Sequence, residues 1–274
     1  MQYFADTELS IENTMLGGTF GDREVRLCRC VPNIANGIQV ILLHGVHSSA
    51  NFTLHNKFRR LAEILGTLGC TSWLVETSRK VRGRHEYTDD ISSWIKDAFE
   101  GKTFAQEQED AFIAIRHVLE ETKNFPHWLW GFSLGGIIAL SAASENLFCK
   151  DGKKNIFDML VLSGTGLESY KKVEEEMMKL PILSTLRATL KTDMISGVTA
   201  RRLLSFRGSC DEIFSEKSCR AIVNSVKIPE DKKDFRSIEG ADHSLRIRNG
   251  RPDPEIMKEM AAYTVNFGTA YVIE

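Results

Sequence analysis

The chain has 274 residues, 42% of them hydrophobic and 26% charged, values of an ordinary folded protein that exclude the disordered, fibrous and membrane-embedded classes. Its 35 basic residues nearly balance 37 acidic ones, for a formal charge of −2, so no global field draws it to nucleic acid or anionic lipid. The opening MQYFADTELSIENTM lacks a basic start and an apolar core, and no run approaches the roughly 18 apolar residues of a membrane span; the expectation is a cytoplasmic protein that binds neither nucleic acid nor membrane.

In chain order, EVRLCRCV (24–31) alternates with period two and predicts a half-buried strand. GIQVILLHG (37–45) is a continuous apolar run ending in glycine, the pattern of a strand buried on both faces. Leu54, Phe58, Leu61, Leu65 and Leu68 recur at the spacing of one helix side, with Gly69 as a stop signal. CTSWLVET (70–77) reads as a short strand, SRKVRGRHEYTDD as a polar loop, and Phe112, Ile115 and Leu119 mark a helix around 104–123. PHWLWGF (126–132) starts a strand with proline, where the missing N–H does least harm, and SLGGIIALSAASE follows as a helix despite its glycines. IFDMLVLSG (156–164), ARRLLSFRG (200–208) and KDFRSIEG (233–240) supply three more strands, with a helix around 216–226 between the last two. From Pro254 the tail is amphipathic, with Ile256, Met260, Thr264 and Phe267 on one side.

Strands alternating with helices predict a mostly parallel central sheet flanked by helices on both faces, with any site at the carboxyl ends of the strands. Residues 166–199 break the alternation. There Val173, Met177 and Leu180 share a helix side before Pro181, which predicts a small helical insertion within a single domain spanning 1–274. No linker, repeat or low-complexity tract marks a second domain. The six cysteines (Cys28, Cys30, Cys70, Cys149, Cys210, Cys219) are scattered, and a chain of this size needs no disulfide staples, so they are expected as reduced thiols. Cys28 and Cys30 fall on one face of their strand. No second Cys or His pair completes a zinc site with them, so they are expected to pack.

Ser133 lies in Gly131-Phe132-Ser133-Leu134-Gly135, a G-x-S-x-G match between a predicted strand and a predicted helix. A serine on such a sharp turn projects its Oγ from the carboxyl edge of the sheet, and the flanking glycines let the backbone pass without a side-chain clash. The pattern and its context resemble the α/β-hydrolase superfamily over most of the chain. That resemblance implies an α/β-hydrolase fold with a small cap at 166–199, and a triad in the order nucleophile, acid, histidine. After RRLLSF the stretch RGSCDEIF is similar to the family's acid loop and puts Asp211 in that place; after DFRSIEG, ADHSL is similar to the histidine loop and supplies His243. The family's two oxyanion donors correspond to the backbone N–H groups of Leu134 and of Val46 in LLHGVHSS, a stretch that resembles its His-Gly oxyanion loop.

The implied activity is a serine hydrolase that cleaves a carboxylic ester on a small-molecule acyl substrate through an acyl-enzyme, without metal or cofactor. Thioesterase, serine aminopeptidase-like and acyltransferase chemistry would use the same residues, and a non-catalytic ligand-binding protein could keep the fold. Asp242 and Glu212 are rival acids. Asp242 is disfavoured because a sequence neighbour rarely reaches the far nitrogen of the imidazole, and Glu212 because it sits one past the family position. His47 is expected to line the pocket, and Met177 and Met178 to cap an apolar acyl site. His44 is read as a structural hydrogen-bonder, and His55, His117 and His127 as packing or surface residues. The basic run Arg79, Lys80, Arg82 and Arg84 is expected as a solvated loop, with recognition of an acidic group as its functional alternative.

Overall fold

The computed structural model describes residues 8–83, 91–144, 148, 157–169, 182–186 and 194–270. Within these, the strands are β1 (Leu9–Gly17), β2 (Glu24–Pro32), β3 (Gln39–Leu43), β4 (Thr71–Glu76), β5 (His127–Phe132), β6 (Met159–Ser163), β7 (Leu203–Gly208) and β8 (Lys233–Ile238). They form one sheet in the order β1-β2-β4-β3-β5-β6-β7-β8. The strands from β4 across to β8 run parallel, and β1 and β2 are antiparallel additions at one edge. A short hairpin, β9 (Ile247–Arg248) with β10 (Arg251–Pro252), lies beyond β8.

Alternation along the strands feeds two cores, because successive side chains leave opposite faces. Ile41 and Leu43 enter one core and Val40 and Leu42 the other; on β2, Val25 and Leu27 face the first, Cys28 and Cys30 the second. The first face is covered by α2 (Ile91–Phe99), α3 (Phe104–Glu121), α4 (Leu134–Ser144) and α5 (Glu216–Ser225), the second by α1 (Lys57–Thr67) and α6 (Ile256–Thr269). Local chemistry sets the helix starts. The Asn56 side chain caps α1 by accepting from Phe58 N, Ser215 caps α5 through Ser218 N, and Thr103 and Gln106 form a reciprocal capping box at α3. Gly69, at φ +80°, ends α1 where only glycine turns without strain.

Two expectations are corrected, for Leu54 and for the basic run, and two elements, β1 and α2, were not predicted. Leu54 is 70% exposed and precedes α1, whose apolar stripe begins at Phe58. The opening residues include an edge strand, β1, paired residue for residue with β2. The polar stretch after β4 is followed by α2, which buries Trp94, Ala98 and Phe99. Finally, the basic run is not a solvated loop: Arg79 is 1% exposed and Arg82 donates to Asp22, Glu76 and the Glu24 carbonyl, whereas Lys80 is exposed. Arg84 lies outside the described residues, as do Cys149 and most of the predicted cap, including Met177 and Met178. The described parts of 166–199 include the short turns Leu183–Thr185 and Ile195–Gly197, with Ile182, Leu183 and Met194 packed into the first core. No described helix is long and apolar enough to cross a membrane.

A buried ion cluster sits between β4 and α3. Lys102 Nζ donates to Glu107 Oε2 (2.5 Å), Asp110 Oδ2 (2.9 Å) and the Ser78 carbonyl (2.6 Å). Burial alone would raise the Glu107 pKa, but the Lys102 charge and hydrogen bond outweigh it and lower it to about 2. Removing the cation strands two buried carboxylates, so Lys102→Met should cost about 3–5 kcal/mol. That corresponds to a melting-temperature loss of roughly 10 °C for a domain of this size. The carboxylate's contribution is complete above its ordinary pKa of 4.5 and is lost as pH falls toward about 2. Melting scans from pH 7 to 3 should therefore show a steep acid slope that Glu107→Gln flattens.

Candidate active site

Ser133 follows the last residue of β5 and precedes the first residue of α4. It holds φ at +53°, in the left-handed region that a non-glycine residue enters at a cost. Its backbone is pinned there. Ser133 N donates to Ser163 O (2.8 Å), while its carbonyl accepts from Gly136 N (2.9 Å) and Thr165 Oγ1 (3.1 Å). The glycines of the motif are needed for close approach: a Cβ on Gly131 would lie 2.2 Å from Gly135 O, and one on Gly135 would lie 2.5 Å from His44 O. Backbone on both sides leaves nothing soft to yield, so Gly131→Ala should lower stability by about 1–3 kcal/mol. Because the same shift moves Ser133, thermal melting and any Ser133-dependent activity should fall together.

The two loops beyond β7 and β8 bring the other predicted groups to the same edge. A Cβ on Gly208 would lie 2.3 Å from both Ala241 O and Asp242 O, so glycine there lets the loops interlock. His243 Nδ1 lies 2.9 Å from Asp211 Oδ2 and His243 Nε2 lies 3.1 Å from Ser133 Oγ. The other Asp211 oxygen, Oδ1, accepts from Ile213 N (2.8 Å) and Phe214 N (3.0 Å). Burial would raise the Asp211 pKa, yet the His243 hydrogen bond and charge, with the two backbone donors, hold it below the usual aspartate value. An ionised Asp211 only accepts, which assigns the proton to His243 Nδ1 and leaves Nε2 as the acceptor facing the serine hydroxyl. Asp242 is committed elsewhere: its carboxylate accepts from Ser244 Oγ and from the N–H groups of Arg246 and Ile247. Glu212 is exposed.

No family model matches the sequence, and no curated protein matches it. Solved structures do resemble it in fold. A monoglyceride lipase from Saccharomyces cerevisiae superposes with a TM-score of 0.64 at 14% identity, over 98% of this chain and 99% of its own. A cold-adapted esterase from an Arctic intertidal metagenomic library gives 0.60 at 16% identity, over 93% and 92% of the two chains. A lidless α/β serine hydrolase from Xanthomonas campestris gives 0.59 at 16%, over 96% and 94%. The chain has the α/β-hydrolase fold.

In this α/β-hydrolase fold a cleft of about 400 Å³ opens over Ser133 and His243, lined also by Gly45, Val46, His47 and Ile95. The 44–48 loop abuts the serine turn, since a Cβ on Gly45 would be 3.3 Å from Ser133 Cβ. His44 lies beneath it with Nδ1 at 2.8 Å from Gly45 O and Nε2 at 3.3 Å from Thr77 Oγ1, the structural hydrogen bonds expected. Burial, offset in part by Glu107, lowers its pKa and keeps the ring neutral. His47 is buried at the cleft wall, packs against Phe99 at 5.0 Å between ring centroids, and has its pKa lowered to about 4, chiefly by burial.

Sequence reasoning missed several residues that build this site. Arg79 donates from Nη1 to the Ser48 carbonyl (3.1 Å) and from Nε to the Thr77 carbonyl (3.1 Å), tying the 44–48 loop to the end of β4. Ile95 of α2 reaches the cleft, and the spacing of Trp94, Ile95, Ala98 and Phe99 was the signal that would have found it. His55, expected as packing or surface, is exposed but lines the cleft with Lys57.

Proposed function

We propose that the protein is a serine hydrolase that cleaves carboxylic esters through an acyl-enzyme. The observation that carries this reading is the hydrogen-bonded line from Asp211 through His243 to the strained Ser133 at the mouth of the cleft. Ser133 Oγ attacks the acyl carbon while His243 Nε2 takes its proton, and Asp211 holds the imidazole and stabilises the cation that forms. The carbonyl π electrons move to oxygen, and the backbone N–H groups of Leu134 and Val46 are assigned as its donors. Leu134 opens α4, where a first-turn N–H has no acceptor four residues back and the helix dipole favours negative charge.

The imidazolium then protonates the departing alkoxide as the C–O bond breaks. Water, deprotonated by His243, attacks the acyl-enzyme and returns the serine with release of the acid. The esterase and lipase neighbours support an ester as the substrate bond. The test is labelling with a fluorophosphonate probe, with the modified peptide located by mass spectrometry, beside turnover of p-nitrophenyl esters of increasing acyl length. The expected result is stoichiometric labelling on Ser133 and measurable ester turnover. Absence of labelling on the folded protein, or labelling at another serine, would refute the mechanism.

A further inference from the structure

The walls of the cleft carry charge of one sign. Lys57 and Arg246 line it together with Ser133, His243, His55 and Ser244, and among its described lining residues there is no aspartate or glutamate. Neither cation has a carboxylate within ion-pair distance among the described residues, although the protein as a whole is slightly acidic. The Lys57 Nζ lies over the ring of Phe132, the residue before the nucleophile, at 4.3 Å from its centroid. The acid that acts on it, Asp242, is spent on Ser244 Oγ and the N–H groups of Arg246 and Ile247.

Three conditions oppose a cation at this point. Lys57 is partly buried, it stands beside Arg246, and it opens α1, where the helix dipole is positive. Burial first, and repulsion from Arg246 second, lower its pKa to about 7. An anion seated between the two side chains would relieve all three at once. The cationic wall continues outward. A second groove shares His55, Asn56, Lys57 and Arg246 and adds Arg59 and Arg60. Its acidic residues are already engaged, Glu63 by Arg59 and Asp253 by Arg248, whereas Arg60 has no ion-pair partner among the described residues.

We propose that the cleft selects an ester bearing an anionic group, a carboxylate or a phosphate, held between Lys57 and Arg246 on the side leading to Arg60. The proposal rests on the ester-hydrolase reading and names its substrate class. Charge-assisted hydrogen bonds of this kind favour an anion over its neutral isostere by about tenfold or more.

The test separates binding from chemistry by using the full chain with Ser133→Ala in calorimetric titrations. The ligands are monomethyl glutarate, neutral dimethyl glutarate and 1-acetylglycerol 3-phosphate. At least one anion should bind about tenfold or more tightly than dimethyl glutarate, and the tighter of the two identifies carboxylate or phosphate. Lys57→Gln and Arg246→Gln should each remove most of that preference, and Lys57→Arg should retain it. Arg220→Gln, which removes an exposed cation paired with Glu216 on α5, serves as the control for net charge and should leave the preference in place. Melting curves identify variants that have not folded, and Lys57→Met then replaces Lys57→Gln because it keeps the aliphatic stem over Phe132. Equal affinity for all three ligands, or a preference that survives both glutamine changes, overturns the proposal. Anion preference without ester turnover by the unaltered protein would support the site and remove the hydrolase reading. Turnover of neutral esters without anion preference would do the reverse.

Discussion

Replacing Ser133 with alanine is expected to lower ester turnover by roughly 10⁵- to 10⁶-fold, the loss seen when a nucleophile acting as part of a triad is removed. Melting should be almost unchanged, because among the described residues the hydroxyl's one hydrogen bond is to His243, while the turn is held by the Ser133 backbone through Ser163, Gly136 and Thr165. A second substitution separates strain from chemistry. At φ +53° both serine and alanine pay for a left-handed conformation, whereas glycine does not. Ser133→Gly should therefore be as inactive as Ser133→Ala but more stable than it by up to about 1 kcal/mol, once the flexibility glycine adds to the unfolded chain is deducted. The measurements are initial rates on a p-nitrophenyl ester and thermal melting of the three proteins. Alanine variant activity within tenfold of the unaltered protein would remove Ser133 from the mechanism.

The strands that carry the site were readable because a parallel strand buried on both faces reads as a mainly apolar run, as in β3, β5 and β6, and β7 keeps Leu203, Leu204 and Phe206 around Ser205. Their ends then locate Ser133 and Asp211, and the loop after β8 locates His243. The edge strand β1 was not readable in the same way. Leu9 and Ile11 are half-buried toward one face and Thr14 and Leu16 toward the other, with exposed residues between, so no clean alternation survives. Arg79 and Lys102 were obscure for a different reason. Charged residues default to the surface, and what helps draw these two inside are acceptors distant in sequence, the Ser48 carbonyl for one and the Ser78 carbonyl for the other. The same holds for Lys57, whose neighbour Arg246 arrives from beyond β8. Patterns report burial of apolar side chains; they are silent on which charges a fold will enclose.

Changing Asp211 to asparagine should cost about 10⁴-fold in turnover with little loss of folded protein, and this structure gives a specific reason. Oδ1 of Asp211 accepts two backbone hydrogen bonds, from Ile213 and Phe214. An asparagine keeps them only by putting its carbonyl oxygen in that place, which turns its amide N–H₂ toward His243 Nδ1. A donor there forces Nδ1 to accept, so the ring proton moves to Nε2, the nitrogen 3.1 Å from Ser133 Oγ. The imidazole then meets the serine with a proton it already holds and cannot act as base. Asp242→Asn provides the contrast. Its carboxylate braces the turn after His243 through Ser244, Arg246 and Ile247, so a looser turn should cost on the order of tenfold and not 10⁴. Rates for both variants, with the His243 ring protons followed by NMR to read the tautomer, decide between the two acids. A larger loss in Asp242→Asn than in Asp211→Asn would reassign the acid. An unchanged Nδ1 proton in Asp211→Asn would show that the loss, whatever its size, does not come from the tautomer.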